Sequence, residues 1–165
     1  MTGEGAVLRP PKNELDPAVV GWWRAQVLAL TAAPVVVLAV LGVLIAPARP
    51  WLLAAAAGLA VPGALCAALL PPWWFRVHRW EVTDDAVYVR TGYFWQESRI
   101  APMSRIQTVD TVRGPLERSF ALATVTVTTA SAKGALKIEG LHHEVAAELA
   151  ERLTRITGAT PGDAT

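Results

Sequence analysis

The first half of the chain contains two consecutive blocks without a charged residue, 25–48 and 50–75, separated by Arg49. Each block holds about 20 apolar residues in a row, the length of helix that crosses the hydrocarbon core of a bilayer. One such run would also be typical of a buried core helix, but two in tandem favour a transmembrane hairpin. We place the spans at roughly 27–46 and 51–70, and expect helices because backbone amides in lipid must pair within their own segment.

Tryptophans flank both predicted spans, and indoles prefer the headgroup region of a membrane. The predicted interface residues are Trp22, Trp23, Trp51, Trp73 and Trp74. Lys and Arg precede the first span and follow the second, whereas the connecting loop has Arg49 alone. The positive-inside rule therefore predicts a multi-pass protein of the cell membrane with both termini in the cytoplasm.

The second span is rich in Ala and Gly, which let helix backbones approach closely. Residues 54–58 are four alanines and a glycine, and Ala64, Ala67 and Ala68 follow. Packing against the first span and a contact between copies of the chain would both use such residues. The sequence leaves both open.

After Pro71-Pro72 the hydrophobic positions recur with a period of two, which indicates β-strands. Residues 79–83 and 86–90 flank the turn residues Asp84-Asp85 and predict a β-hairpin. Thr91-Gly92 is predicted to turn the chain into a third strand over 93–100. A fourth run, 105–112, has Ile106 and Val109 out of phase, which predicts either a bulge or a fully buried stretch.

The rest of the chain predicts one helical turn, two further strands and a closing helix. Pro115 suits the start of a turn over 115–120. Strands are predicted over 123–129 and around residues 136–138. Val145, Leu149, Leu153 and Ile156 then recur at helix spacing, so we expect an amphipathic helix that ends at Gly158.

The predicted fold class is α+β: a two-helix transmembrane hairpin followed by an antiparallel β domain with a C-terminal capping helix. The predicted bounds are a disordered cytoplasmic tail at 1–20, the hairpin at 21–72, the cytoplasmic domain at 73–158 and a disordered tail at 159–165.

Charge and cysteine content narrow the function classes. The part from residue 73 onward carries 11 basic and 11 acidic residues, and this balance argues against nucleic acid, which is held by a basic surplus. Cys66 is the one cysteine, so neither an intrachain disulfide nor a cysteine-based metal site is expected.

Candidate catalytic groups are few. His142 and His143 are adjacent, and neighbours on a forming helix point in different directions, which makes a poor metal pair. His78 lies beside the predicted membrane surface among arginines. The Asp84-Asp85 pair suits a hairpin turn for backbone reasons. We therefore predict no catalytic, cofactor or metal residues, and a protein that is not an enzyme.

Several segments together resemble the bacterial pleckstrin-homology-like (PH) family of small membrane proteins. They are residues 80–85, 90–92, 102–109, 114–118, 122–123, 127–130 and 140–141, and the upstream hairpin fits as well. Ala121 stands where the family usually has a glycine. The resemblance implies a PH-like split barrel capped by a C-terminal helix, without a known reaction. Some members are linked to cell-envelope stress or resistance to antimicrobial peptides.

Phosphoinositide binding does not follow from this resemblance. That mode needs a cationic pocket near the first hairpin, and the turn there is Asp84-Asp85, whose carboxylates repel phosphate.

One polar cluster is the predicted candidate for an interaction patch. Its members are Arg99, Arg105, Gln107, Arg113, Glu117 and Arg118. They suit either of two roles. Arg118 or Arg105 could pair with Glu117 or Asp110 and clamp the Gly114-Pro115 turn. Alternatively, an exposed patch could contact anionic headgroups or a partner protein, since Arg makes bidentate contacts to carboxylate and phosphate.

The predicted function is a membrane-anchored, non-enzymatic interaction or scaffold module at the cytoplasmic face. Its expected partners are the lipid bilayer and a protein, which could be a second copy of the chain. The alternative is an accessory subunit of a transporter or of an envelope-biogenesis complex, docked through the Ala-rich second span.

Overall fold

The computed structural model describes residues 11–130 and 134–159. The helices are α1 (Ala18–Leu44), α2 (Arg49–Val77), α3 (Pro115–Ser119) and α4 (His143–Ala159), and the strands are β1 (Asn13–Glu14), β2 (Arg79–Val82), β3 (Ala86–Gly92), β4 (Gln96–Pro102), β5 (Ile106–Val112), β6 (Leu122–Thr129) and β7 (Leu136–His142). The described residues form two compact units, Pro17–Phe75 and a β domain that combines residues 11–16 with the described residues from Arg76 onward.

Helices α1 and α2 form the first unit and are joined by one turn of 3-10 helix, Ala46–Ala48. Both are long and apolar enough to cross a membrane, with mean hydropathies of 2.7 and 2.1 over their most apolar windows. Only 6% and 17% of the residues in those windows are buried. A core helix of a water-soluble protein would hide this surface, so the exposure favours lipid as its surroundings.

Small residues of α2 lie against α1. Ala56, Gly63 and Ala67 are buried, at the spacing of one helix face. A Cβ built on Gly63 would meet the side chain of Thr31 in α1. Span two therefore packs on span one through this stripe, while Ala54, Ala57 and Ala68 remain exposed.

The loop between the helices is fixed by Arg49. Its Nε donates a hydrogen bond to the Gly42 carbonyl at 3.1 Å, and its Nη2 donates to the Val43 carbonyl at 3.3 Å. These carbonyls lie in the last turn of α1, where helix oxygens lack partners and a cation is favoured. The one charged residue between 25 and 75 thus caps the first helix.

Helix α2 is longer than its predicted span. The predicted span ends near residue 70, yet the helix includes Pro71 and Pro72 and continues to Val77. Prolines remove backbone donors, and long apolar helices tolerate this loss better than soluble ones.

The β domain begins before the hairpin, at residues predicted to belong to a disordered tail. Asn13 and Glu14 pair with Trp80 and Arg79, and Leu15 is buried. The Trp80 indole donates to the Glu14 carbonyl at 3.0 Å, and the Arg79 guanidinium pairs with the Glu14 carboxylate at 2.8 Å. Residues 13–15 and 18–20 are therefore ordered, contrary to the predicted tail of 1–20, and residues 1–10 and 160–165 lie outside the described residues.

The strands form two antiparallel sheets, with orders β1-β2-β3-β4 and β5-β6-β7. The α+β class and the antiparallel strands are confirmed. Backbone pairing joins the strands within each sheet, so the closed form of a split barrel stays an expectation from the resemblance. The core consists of apolar residues from both sheets and α4: Val87, Val89, Leu122, Val125, Val127, Ile138, Leu141, Leu149 and Leu153.

The β3–β4 turn differs from the prediction. The two strands pair as far as Gly92 with Gln96, so the turn is residues 93–95 and not Thr91-Gly92. The sequence Tyr-Phe-Trp has high strand propensity, which explains the misplaced strand start.

The other local predictions hold with small shifts. The register of β5 slips between Ile106 and Thr108, so the bulge is present, and β5 is mostly exposed. Helix α4 packs on the three-stranded sheet through Ala146, Leu149 and Leu153. Val145, predicted in this stripe, is 40% exposed at its edge.

Candidate functional site

The residues of the predicted polar cluster lie at three separate positions in the β domain. Arg99 lies on β4 and donates to the carbonyls of Ala135 and Gly134 at 2.9 and 3.2 Å. Arg105 precedes β5, and Arg113 follows it. Eight residues of extended strand put those two about 25 Å apart. One continuous patch is therefore not formed.

Arg113 and Glu117 act together at the start of β6. The Arg113 Nε donates to the Leu122 carbonyl at 3.1 Å. Glu117 is buried, and its two carboxylate oxygens accept hydrogen bonds from the Gly114 N–H at 2.6 Å and from the Thr124 hydroxyl at 2.7 Å. Glu117 thus holds the Gly114-Pro115 turn through a backbone amide and a hydroxyl, and not through the predicted ion pair with Arg118 or Arg105.

The remaining members of the cluster are exposed. Arg105 stands at the entrance of β5, Gln107 at its bulge and Arg118 on α3. These three side chains are available for a partner, and Arg105 and Gln107 adjoin the same strand.

That strand, β5, is the edge of its sheet. It pairs with β6 on one side, and within residues 11–130 and 134–159 no strand pairs with its other side. None of its residues is buried. An exposed edge strand offers a row of backbone donors and acceptors to a further strand.

A second candidate is a cleft of about 250 Å³ between β2–β4 and β7. Its apolar floor includes Leu136 and Ile138, which are both buried. Its charged lining consists of the cations Arg79, Arg90, Arg99 and Lys137 and the carboxylates Glu97 and Glu139. The excess of cations suits a small anionic group.

Several lining cations already have partners. Arg79 pairs with Glu14, Arg90 donates to the Gln96 side chain, and Arg99 lies 3.8 Å from Glu97. These contacts hold the guanidinium groups in place around the cleft. The sequence indicated one part of this cleft. Arg79 and Arg90 are equally far from the Asp84-Asp85 turn, and in the hairpin they lie opposite each other.

The tryptophans predicted at the membrane interface fall into two groups. Trp22 and Trp23 are buried, and Trp23 packs edge-on against Trp74 with ring centroids 5.8 Å apart. Trp51 and Trp73 are exposed. The Trp23–Trp74 contact holds the start of α1 beside the end of α2, so both ends of the hairpin emerge on the same side.

The histidines and aspartates also have defined surroundings. The rings of His142 and His143 stack at 4.6 Å, contrary to the expected divergence. Groups of three or more His, Cys, Asp or Glu able to hold a metal ion are absent from the described residues.

Asp84 pairs with Arg152 of α4 at 3.3 Å, which ties the hairpin turn to that helix.

Two apolar helices followed by two antiparallel sheets and a closing helix define a small membrane protein with a β-rich domain. The profile of the bacterial PH domain family matches residues 25–157, and the chain belongs to that family. It is 28% identical over 156 residues to transmembrane protein YdbS of Bacillus subtilis (strain 168), with 93% of this chain and 97% of the relative covered. A search of solved structures gave no significant match.

Proposed function

We propose that the protein is a membrane-anchored, non-enzymatic interaction module whose PH-like domain works at the cytoplasmic face. The β5 edge carries this proposal, because five of its seven residues are exposed and none is buried, whereas four of the eight residues of β6 beside it are buried. Partners readily add a strand to such an edge. The exposed Arg105 and Gln107 would give the contact its specificity.

The topology in this proposal has two supports. Trp23 and Trp74 are in contact, so the chain enters and leaves the hairpin on one side. The cations Arg24 and Arg76 flank that side, whereas Arg49 at the other end is engaged in capping α1. The positive-inside rule then assigns the side with the β domain to the cytoplasm.

The proposal that the protein is not an enzyme is based on the residues that line the cleft. Its described residues offer arginines, a lysine, two glutamates, His78, Thr91 and Tyr93. An activated nucleophile commonly has an adjacent base oriented by a third group. Among the described contacts of the cleft, its arginines bond to carbonyl and amide oxygens or pair with Glu14 and Glu97, and the rings of Tyr93 and His78 meet edge to face.

Site-specific crosslinking tests the proposal. A photoreactive residue at Thr111, exposed on β5, should capture a discrete partner or a second copy in native membranes, while the same residue at Glu151, exposed on α4, should not. A second probe at Gln107 allows Thr111 itself to be substituted. With that probe, Thr111→Lys should abolish the capture of the partner, because a lysine on an edge strand discourages pairing with a further strand. Thr111→Ser is the control that should retain it. Equal products from both probe positions would overturn the β5 assignment.

A second candidate function is that of an accessory subunit docked in the membrane. It is favoured by the exposed small residues of α2, and a Cβ built on Gly58 would meet open space. Gly58→Leu should then release a larger membrane protein from the purified complex. A stable homo-oligomer without other subunits, seen by native mass spectrometry, would contradict this role.

A further inference from the structure

The β3–β4 turn exposes three aromatic side chains in a row. Tyr93, Phe94 and Trp95 are 42%, 69% and 86% exposed. We call residues 93–95 the aromatic tip. Short hairpin connections are usually made of Gly, Asn or Asp, which suit tight turns and water. Three aromatic residues there are unfavourable for a turn in water, so their presence needs another reason.

The aromatic tip is held against the residues that follow the second span. The rings of Tyr93 and His78 lie edge to face, with centroids 5.2 Å apart. A Cβ built on Gly92 would lie 2.9 Å from Val77 Cγ1, so the strand end touches Val77 as well. Val77 and His78 are both buried. The tip is thus fixed on this segment.

Chain length then limits how far the tip can be from the membrane. Val77 follows Trp74 by three residues, and three residues span at most about 10 Å in any conformation. The two polar headgroup layers add roughly 10–15 Å to the bilayer in total, which is about 5–8 Å on each side. If Trp73 and Trp74 mark the end of the span, the tip is within reach of the headgroup layer.

We propose that the aromatic tip inserts Phe94 and Trp95 into the headgroup layer of the leaflet from which α2 emerges. Indole and phenyl groups are favoured at that depth. The insertion would give the domain a third attachment besides the two spans and would fix its orientation on the membrane. The proposal rests on the membrane anchorage proposed above, but not on the β5 edge.

The charges near the aromatic tip suit a lipid surface. Arg90, Arg99 and Lys137 line the cleft beside it and can face anionic headgroups. Glu97, two residues beyond Trp95, and Glu139 are the opposing charges of this cleft, and Glu97 lies 3.8 Å from Arg99. The combination of exposed aromatics with nearby arginines is typical of segments that lie in a membrane interface.

Depth-dependent quenching tests the insertion. The full-length Cys66→Ala chain is labelled with an environment-sensitive fluorophore through Phe94→Cys and reconstituted in vesicles of phosphatidylcholine and phosphatidylglycerol. Lipids with a nitroxide near the headgroup should remove most of the emission, and lipids with a deep nitroxide should remove less. The matched control, Glu151→Cys on α4, should keep its emission with both lipids.

A third label separates the possible failures. A fluorophore at Leu65→Cys, within the second span, should be quenched by the deep nitroxide. If Leu65 is quenched and Phe94 behaves like Glu151, the insertion is overturned while the anchorage stands. If neither Leu65 nor Phe94 is quenched, the anchorage itself fails. A Phe94 label that is shielded from water but not quenched by lipid, and that changes with protein density, would assign the tip to a second copy and overturn the proposal.

Discussion

Gly63 of α2 lies directly against Thr31 of α1. A Cβ built on Gly63 would be 2.8 Å from Thr31 Cγ2 and 2.9 Å from Thr31 Cβ, which is closer than carbon atoms approach. The Thr31 hydroxyl donates to the Val27 carbonyl at 2.9 Å within its own helix, so its methyl group remains for the contact. The two helix backbones are close here because one residue has no side chain.

Gly63→Ala should therefore destabilise the hairpin. The added methyl overpacks the contact with Thr31, at a cost of about 1–3 kcal/mol. The free energy of unfolding, measured by SDS titration in mixed micelles, checks this. Gly58→Ala makes the same chemical change where a Cβ meets nothing within 4 Å, and it should be neutral or slightly stabilising. Equal effects at both positions would contradict the contact.

Ala121→Gly should stabilise the β domain. Ala121 has φ of 56°, a left-handed conformation, at the end of α3, where its carbonyl accepts a hydrogen bond from the His143 N–H. This conformation costs a residue with a Cβ about 1–2 kcal/mol relative to glycine, and the greater freedom of glycine in the unfolded chain offsets part of it. We expect a gain of about 1 kcal/mol in chemical denaturation.

Ala147→Gly is the matched control for that change. Ala147 is exposed within α4, where glycine costs about 1 kcal/mol of helix stability. The same substitution should thus have opposite signs at the two positions. A loss of stability from Ala121→Gly would show that the left-handed conformation is not strained.

Glu117→Gln should destabilise the start of β6. Both oxygens of the buried Glu117 carboxylate accept hydrogen bonds, from Gly114 and Thr124. The glutamine oxygen can accept from the Gly114 N–H while its NH₂ donates to the Thr124 hydroxyl, so the change replaces two charge-assisted bonds by weaker neutral ones, at about 1–2 kcal/mol. Thermal unfolding followed by circular dichroism measures the effect.

A double-mutant cycle with Thr124→Val isolates the Thr124 contact. If the hydroxyl bond is real, the two substitutions together should cost less than the sum of the single effects. Glu151→Gln, on the exposed face of α4, should change stability little. Additive effects of Glu117→Gln and Thr124→Val would contradict the bond.

Cysteine labelling in cells tests the proposed topology. In the Cys66→Ala chain, Ala46→Cys in the turn between the helices should react with a membrane-impermeant maleimide in intact bacterial cells whose outer layers admit the reagent. Glu151→Cys in the β domain should react only after the inner membrane is permeabilised. Labelling of Glu151 in intact cells, with Ala46 protected, would reverse the topology.

Local patterns of apolar, charged and turn residues in the sequence predict much of the architecture. The uncharged blocks around Arg49 predict the two helices because lipid requires length and apolarity, which are properties of consecutive residues. The Asp84-Asp85 turn fixes the β2–β3 register, including Arg79 opposite Arg90, because a hairpin pairs residues symmetrically about its turn. The phase of Ile106 and Val109 left a bulge or a fully buried stretch open for β5, and the structure has the bulge.

The candidate sites depended on contacts between distant residues. Arg99 and Lys137 meet at one cleft because the two sheets face each other there, and nothing in their spacing indicates it. Glu14 joins the sheet because β2 has a free edge beside it. The polar cluster looked continuous in sequence, yet an extended strand separates Arg105 from Arg113.

The sequence by itself determined the two apolar helices, the antiparallel strands and the amphipathic helix, because these follow from the periodicity and length of local runs. Tertiary structure decided which side chains are exposed and which converge: the aromatic tip above Val77 and His78, the buried Glu117 clamp and the open β5 edge. Those outcomes depend on how strands pair and pack across long separations, which residue spacing does not encode.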